Sequence, residues 1–407
     1  MRSRRRRHLL ASALLAGILA ASAGEAGAFV GAPWFEPSAP YDENFPDPSI
    51  VVHGGRYHAY GTATGGAYLP VLTSGDADAW TARPAYAQPA CVGRPVDFFF
   101  NDALPCPAAW APDRAVGGRM TKEVWAPGVA EVEGRFVAFY SVRQDLERDR
   151  FCISVATSSS PLGPFVDDST GPVVCDTDPN GSIDPQPFVD TDGSAWLVWK
   201  SEGVPGATPT RIWSQRLGAG GTSLAPGSSP SELLRTSQGW EGSVIENPAA
   251  VRHQGRLLLF YSGNEHLSAD YAIGYAECAS MTGPCTKSAS NPVLASRGER
   301  LGPGGPAPFV DLAGDLRLAH HWWQAPHTTY PSGQRRLAVE RVHLTADGLQ
   351  VGGDAPARPM VRSLDAACPS GRVPAAGFVD VPAGSTHAGA VDCLAWWGLT
   401  GGTAPGR

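Results

Sequence analysis

Five segments of this 407-residue chain share one grammar: an apolar strand, a turn centred on glycine, then a second apolar or aromatic strand. They read "PSIVVHGGRYHAYGT", "PGVAEVEGRFVAFYSV", "PQPFVDTDGSAWLVWK", "PAAVRHQGRLLLFYSG" and "APFVDLAGDLRLAHHWW". Their turn glycines are Gly55, Gly134, Gly193, Gly255 and Gly314, so that the first interval is the longest and the other three are nearly equal. Each interval leaves space for two more strands after the hairpin. Five four-stranded units of this length predict an all-β, five-bladed β-propeller, whereas an ordinary sandwich would not need near-equal intervals. Blades 2 and 4 repeat at a finer level too, since Gly163-Pro164 follows Gly134 at almost the same offset as Gly283-Pro284 follows Gly255. Composition agrees, since 48 Gly and 37 Pro suit many turns, and no long stretch carries a 3.6-residue apolar period.

Residues 1–28 predict a signal peptide: five arginines, an apolar run, and Ala26-Gly27-Ala28 in an A-x-A arrangement. The arginine cluster suits either the twin-arginine or the general secretory route, and the choice stays open. No later segment approaches the roughly 18 consecutive apolar residues of a membrane span, so no membrane insertion is expected. Beyond that signal, acidic side chains clearly outnumber basic ones, because the segment takes five arginines with it and only one glutamate. An acidic body argues against nucleic acid and anionic membranes as partners and fits a neutral substrate. All eight cysteines follow the signal, an even number that predicts disulfides in an exported chain. Local pairing 91–106, 152–175, 278–285 and 368–393 keeps each bridge within one unit.

In a propeller the first strand of each blade runs along the central channel, so residues at its start face one funnel. Counting back eight or nine positions from each turn glycine gives Asp47, Ala126, Asp184, Glu246 and Gly305. Three of the five are carboxylates, each from a different blade. An isolated Asp before Pro is commonly a turn former; three acids in register point instead to a site. Crowded carboxylates cannot all keep ordinary pKa values. Hydrolysis of a glycosidic bond exploits that, with one ionised group activating water and one protonated group serving the leaving oxygen. Glu241, in "QGWEGSVIENP", is a second candidate in blade 4, but only Glu246 holds the register ahead of "PAAV".

"FPDPSIV", "VWAPGVAEVEGRFVAFYS", "IDPQPFVDTDGSAWLVWK" and "IENPAAV…GRLLLFYS", in this order, resemble glycoside hydrolase family 43, over about residues 38–350. The resemblance implies a five-bladed propeller acting on arabinose- and xylose-containing plant polysaccharides. It implies Asp47 as general base, Glu246 as general acid and Asp184 as the acid that orients Glu246 and holds its pKa up. It also implies that Trp125, in "VWAPG", is a substrate-binding wall for a sugar ring, the alternative being a core tryptophan. Many relatives read Gly-Pro-Gly-His before the last inner strand, with that His often near a calcium ion. Here the stretch is "GPGG", Gly302 to Gly305, so no metal and no cofactor are assigned. His320 and His321 lie on the next strand, where a packed or solvated role is expected, the alternative being that one of them reaches the funnel floor.

The expected organisation is a signal peptide at 1–28, a propeller at 29–360, a Pro/Gly/Ala-rich linker at 361–377, and a segment at 378–407 that resembles the first half of an S-layer homology repeat. Such modules attach exported proteins to cell-wall polymer, although here only one partial copy is present. The leading expectation is thus a secreted, extracellular, inverting glycosidase. A non-catalytic carbohydrate-binding propeller is the rival, and a wall-anchored structural protein a third reading that rests on the tail alone. The segment of about residues 66–123, containing Cys91, Cys106 and "DFFFNDALP", is expected to wall the funnel.

Overall fold

The structure is a computed structural model that describes residues 41–352 apart from 42, 65, 83–101, 117–118, 177–180, 205–206 and 346–347, together with 388, 391 and 392. Within it the predicted hairpins form the five blades. Their inner strands are Ser49–His53, Val124–Val132, Ser182–Val189, Ile245–His253 and Arg300–Val310. Each pairs antiparallel with the strand that follows it. Blades 1, 3, 4 and 5 are four-stranded in simple sequence order. Blade 2 has three strands among the described residues, and its outer edge is completed by single bridges, Ile153 to Val174 and Thr157 to Val166. All five turn glycines have positive φ, between 70° and 83°, which explains glycine at each hairpin tip. Gly163 and Gly283 close matching turns after the third strands of blades 2 and 4, each donating its N–H to the carbonyl of the serine three positions earlier.

The second strands carry near-continuous apolar runs because both of their faces are buried, so the two-residue side-chain period assigns alternate residues to opposite neighbours. In blade 4, Leu257, Leu259 and Tyr261 pack with Val198 and Ile212 of blade 3, while Leu258 and Phe260 pack with Leu316 and Leu318 of blade 5. In blade 2, Phe136 and Tyr140 meet Val51 and Tyr60 of blade 1, while Val137 and Phe139 meet Leu197 and Trp199 of blade 3. A fifth cluster, with Tyr57 and Leu72 against Phe309 and Leu337, closes the ring between blades 1 and 5. Closure is also hydrogen-bonded: Phe45 donates its N–H to the Arg335 carbonyl at 2.7 Å, and Leu312 donates its N–H to the Tyr57 hydroxyl at 3.0 Å.

The disulfides Cys152–Cys175 and Cys278–Cys285 are present as expected. Cys106 is also bonded, while the pairs 91–106 and 368–393 include residues outside those described. The linker at 361–377 and nearly all of the 378–407 segment also lie outside them.

Inner strands of blades 2 and 3 approach closely at Gly128, where a Cβ would lie 2.1 Å from the Pro185 carbonyl oxygen and 2.7 Å from Gln186 Cα. Both obstacles are backbone of the strand that carries Asp184. Gly128→Ala is therefore expected to destabilise the fold by about 1–3 kcal/mol through overpacking. It should lower the thermal unfolding midpoint and displace the Asp184 strand; an unchanged midpoint would mean that the blades separate without cost.

Candidate active site

Each inner strand enters the channel at an X-Pro pair: Asp47-Pro48, Ala126-Pro127, Asp184-Pro185, Asn247-Pro248 and Gly305-Pro306. In blades 2 to 5 the strand register shifts at that point, leaving the residue before proline outside the ladder. Proline removes a ladder donor and disfavours the right-handed helical region for its predecessor. Asp47, Asp184, Asn247 and Gly305 take φ of 50°, 55°, 47° and 61°, a left-handed conformation that Asp, Asn and Gly accept most readily. Asp47, Ala126, Asp184, Asn247 and Gly305 together ring the throat of the channel.

The register count from the turn glycines is thereby corrected in blade 4. The residue at the bulge is Asn247, and Glu246 sits one position upstream, paired with Ser262 on the ladder just as Trp125 pairs with Ser141 in blade 2. The blade-4 bulge lies eight positions from its turn glycine rather than nine, so distance alone selected the neighbour. Proline is the better ruler because it fixes the bulge. Glu246 nevertheless reaches the funnel, since ladder positions before the bulge line its wall above the throat.

That funnel, of about 740 Å³, is lined by Asp47, Trp125, Asp184, Lys200, Glu246 and Arg335 among others. The structure thus brings the three acids and Trp125 to one cavity. Glu241 is elsewhere: wholly buried, it accepts from Tyr261 Oη at 2.7 Å and from the Ser237 and Gln238 N–H groups, and pairs with Lys287. Its acceptor capacity is spent on holding a 3-10 turn, Gly239–Glu241. Of the predicted loop wall, Lys122 and Glu123 line the funnel, while residues 83–101 lie outside the described set.

Asp47 is held from three sides. Arg335 Nη1 donates to Oδ1 at 3.1 Å and Oδ2 at 3.3 Å, Thr62 Oγ1 donates to Oδ2 at 2.7 Å, and the Asp47 N–H donates to His321 Nδ1 at 3.0 Å. Burial first, then Arg335, keeps His321 well below the usual histidine range, so its imidazole is neutral. With Nδ1 accepting, the proton is assigned to Nε2. His320 is also buried and bonds the His321 carbonyl at 3.0 Å through Nδ1. Both histidines are buried, and His321 is the one that reaches the channel, beneath Asp47. A Cβ on Gly305 would stand 2.7 Å from His321 Nδ1 and one on Gly304 would stand 1.8 Å from the Tyr271 ring, which accounts for glycine at the end of "GPGG". Among the described residues, no group of three His, Cys, Asp or Glu side chains is arranged to hold a metal. Gly305 offers the channel no side-chain ligand of its own.

Asp184 is 5% exposed and accepts the Asn247 N–H on Oδ2 at 2.8 Å. Burial and then the charge of Glu246 push its carboxyl well above the usual range, against the pull of Lys200. Glu246 accepts from Lys200 Nζ at 2.8 Å and from Tyr271 Oη at 2.7 Å. Burial raises Glu246 too, but Lys200, His266 and Tyr271 outweigh it and hold its carboxyl below the usual glutamate value. In the free funnel the elevated carboxyl is therefore Asp184, the reverse of the expectation that Asp184 lifts Glu246. The reason is Lys200, an ammonium that sequence reading passed over because it ends an otherwise apolar strand. Arg335, Tyr271 and Asn247 were missed as well; only the Asn-Pro pair left a signal that could have found one of them.

Trp125 stacks on Phe151 with ring centroids 3.8 Å apart and planes 22° apart, and the Arg143 guanidinium covers Phe151 at 4.7 Å. One face of the indole is thus fixed while the residue borders the funnel.

The family model for glycosyl hydrolases family 43 matches residues 40–350. Xylosidase/arabinosidase 43A of Humicola insolens is 37% identical over 80 residues, which are 20% of this chain and 22% of that protein, so the match spans about a fifth of the relative's length. Among solved structures, a thermostable family-43 glycoside hydrolase is 24% identical with a TM-score of 0.63, covering 79% of this chain and 96% of that one. An endo-1,4-beta-xylanase from Bacteroides thetaiotaomicron is 24% identical with a TM-score of 0.59, covering 77% and 95%. An endo-arabinase from the same organism is 19% identical with a TM-score of 0.56, covering 76% and 99%. These structural likenesses establish a shared fold. Matched by the family model along all five blades, the chain belongs to glycosyl hydrolases family 43.

Proposed function

We propose that this protein is an exported glycoside hydrolase that cleaves arabinofuranosyl or xylosyl linkages of plant cell-wall polysaccharides with inversion, using Asp47 as general base and Glu246 as general acid. The observation that carries the reading is the convergence of Asp47, Asp184 and Glu246, from three blades, on one funnel beside Trp125. Pentose chemistry is supported by the names of the similar proteins, a xylosidase/arabinosidase, a xylanase and an arabinase. Export is supported by the amino-terminal signal pattern and by the disulfides. Attachment to the cell wall through residues 378–407 is a further part of the proposal that rests on sequence resemblance alone.

In this mechanism a water between Asp47 and the anomeric carbon gives its proton to Asp47 as its oxygen bonds to carbon. The glycosidic C–O bond breaks on the opposite side, and Glu246 protonates the departing oxygen. Arg335 and Thr62 orient Asp47 toward the water. Burial and then the charge of Glu246 hold the Asp184 carboxyl toward its protonated form, and a proton passed from it to Glu246 serves the leaving group. Trp125, already braced by Phe151, offers a rigid apolar face to a sugar ring.

Asp47→Asn is expected to keep the fold and lower turnover by roughly 10²–10⁴-fold on every substrate, since an amide cannot take the proton from water. Retention of more than a tenth of wild-type turnover by the folded variant would remove Asp47 from the role. Glu246→Gln should abolish cleavage of natural linkages yet spare a dinitrophenyl pentoside, whose leaving group needs no proton; equal losses on both would exclude Glu246 as the acid. Proton NMR of the first product should show the inverted anomer before mutarotation, and net retention would require a covalent intermediate instead. Nitrophenyl arabinofuranoside and xylopyranoside, with linear arabinan and arabinoxylan, decide the sugar. Absence of turnover on all of them would favour a carbohydrate-binding propeller over an enzyme of this specificity.

A further inference from the structure

Lys200 lies at the funnel wall with only 3% of its surface exposed, at the end of blade 3's second strand, Ala195–Ser201. A buried lysine is costly unless paired, and this one is paired twice: Nζ is 2.8 Å from Glu246 Oε2 and 2.7 Å from Glu202 Oε2. Its strand partner is Ile183, the residue before Asp184. The ammonium therefore stands between the carboxylate pair and a third acid that no step of the hydrolysis uses.

We propose that Lys200 is a positioning residue of the reaction: clamped between Glu202 and Glu246, it fixes the Glu246 carboxyl at the funnel wall and decides which member of the Asp184/Glu246 pair holds the shared proton. This rests on Glu246 being the general acid. The groups facing Glu246 are Lys200 and Glu202 from blade 3, Asp184 from that blade's inner strand, and Tyr271, His266 and Glu265 from blade 4, with Asp47, Lys122, Glu123, Tyr330 and Arg335 elsewhere around the funnel. Of these, Lys200 is the cation in direct contact with the carboxylate. Its charge favours the ionised form of Glu246 and leaves the proton on Asp184, so Glu246 becomes a competent donor only on the acidic side of the profile. Glu202 divides the ammonium's attraction and thereby limits how far that bias goes.

The test is the pH dependence of kcat/KM on a pentoside with a poor leaving group, where the basic limb reports loss of the donor proton. Lys200→Met removes a positive charge in contact with Glu246, so the donor form should persist to higher pH and the basic limb should move up by roughly 1–3 pH units. Lys200→Arg keeps the charge and should keep the limb near its wild-type position. If Lys200→Met does not fold, Lys200→Gln supplies the same measurement, and Glu202→Gln should move the limb down, because the ammonium then acts on Glu246 undivided. A merely structural lysine would give lower rates with an unmoved limb in every variant, which would overturn the proposal. The effect must also pass through Glu246. In the Glu246→Gln background, assayed on the dinitrophenyl pentoside, adding Lys200→Met should produce no further shift. A shift that persists there overturns the role of Lys200 while leaving Glu246 as the acid. Equal losses of Glu246→Gln on good and poor leaving groups would instead remove the acid assignment itself.

Discussion

Every blade of this molecule is a sheet with two buried faces, and the ring exists because each face needs a neighbour. Burying a Leu or Phe side chain contributes roughly 1.5–3 kcal/mol. Five inter-blade clusters built from such residues make closure the state in which no sheet face is left in water. The fifth of these joins blade 1 to blade 5, so the first and last strands of the propeller are held together by the same apolar packing as the others. With all blades pressed inward, their inner strands converge on the channel. Gly128 marks how closely, since no side chain fits between it and the neighbouring backbone.

That convergence creates an electrostatic problem that the fold answers locally. Asp47, Asp184, Glu202 and Glu246 border one cavity, and two deeply placed cations stand among them. Arg335 pairs with Asp47, whereas Lys200 is shared by Glu202 and Glu246. Asp184 has no cation of its own in hydrogen-bond contact among the described residues and is the carboxyl pushed toward its neutral form. Three acids that look interchangeable in sequence are thereby differentiated by what lies beside each one. The cations come from the second strand of blade 3 and the third strand of blade 5, not from the inner strands that supply the acids.

Much of this was legible in advance. The glycine spacing identified five blades because a hairpin tip demands positive φ, a requirement visible in one residue type. Asp47 and Asp184 were legible through the prolines that follow them, which disfavour the right-handed helical region for the preceding residue and turn it into the channel. Glu246 was found by a count that was one position off. The count worked because the ladder position before the bulge also borders the funnel. That blade 2 shows three strands among the described residues was not legible, as two isolated bridges leave no periodic pattern behind.

Sequence by itself determined the strand repeat, the ring order of the blades and the identity of the residues before each proline, because these depend on local backbone chemistry and on a period that recurs along the chain. It could not determine which carboxyl is protonated or which histidine sits beneath Asp47. Those depend on Lys200, Arg335 and His321, and the last two stand 288 and 274 residues from Asp47 along the chain yet bond to it directly. Charge interactions fall with distance through space rather than along the chain. Only ring closure, which brings blade 5 against blade 1 and blade 3 against blade 4, decided the electrostatic character of each acid.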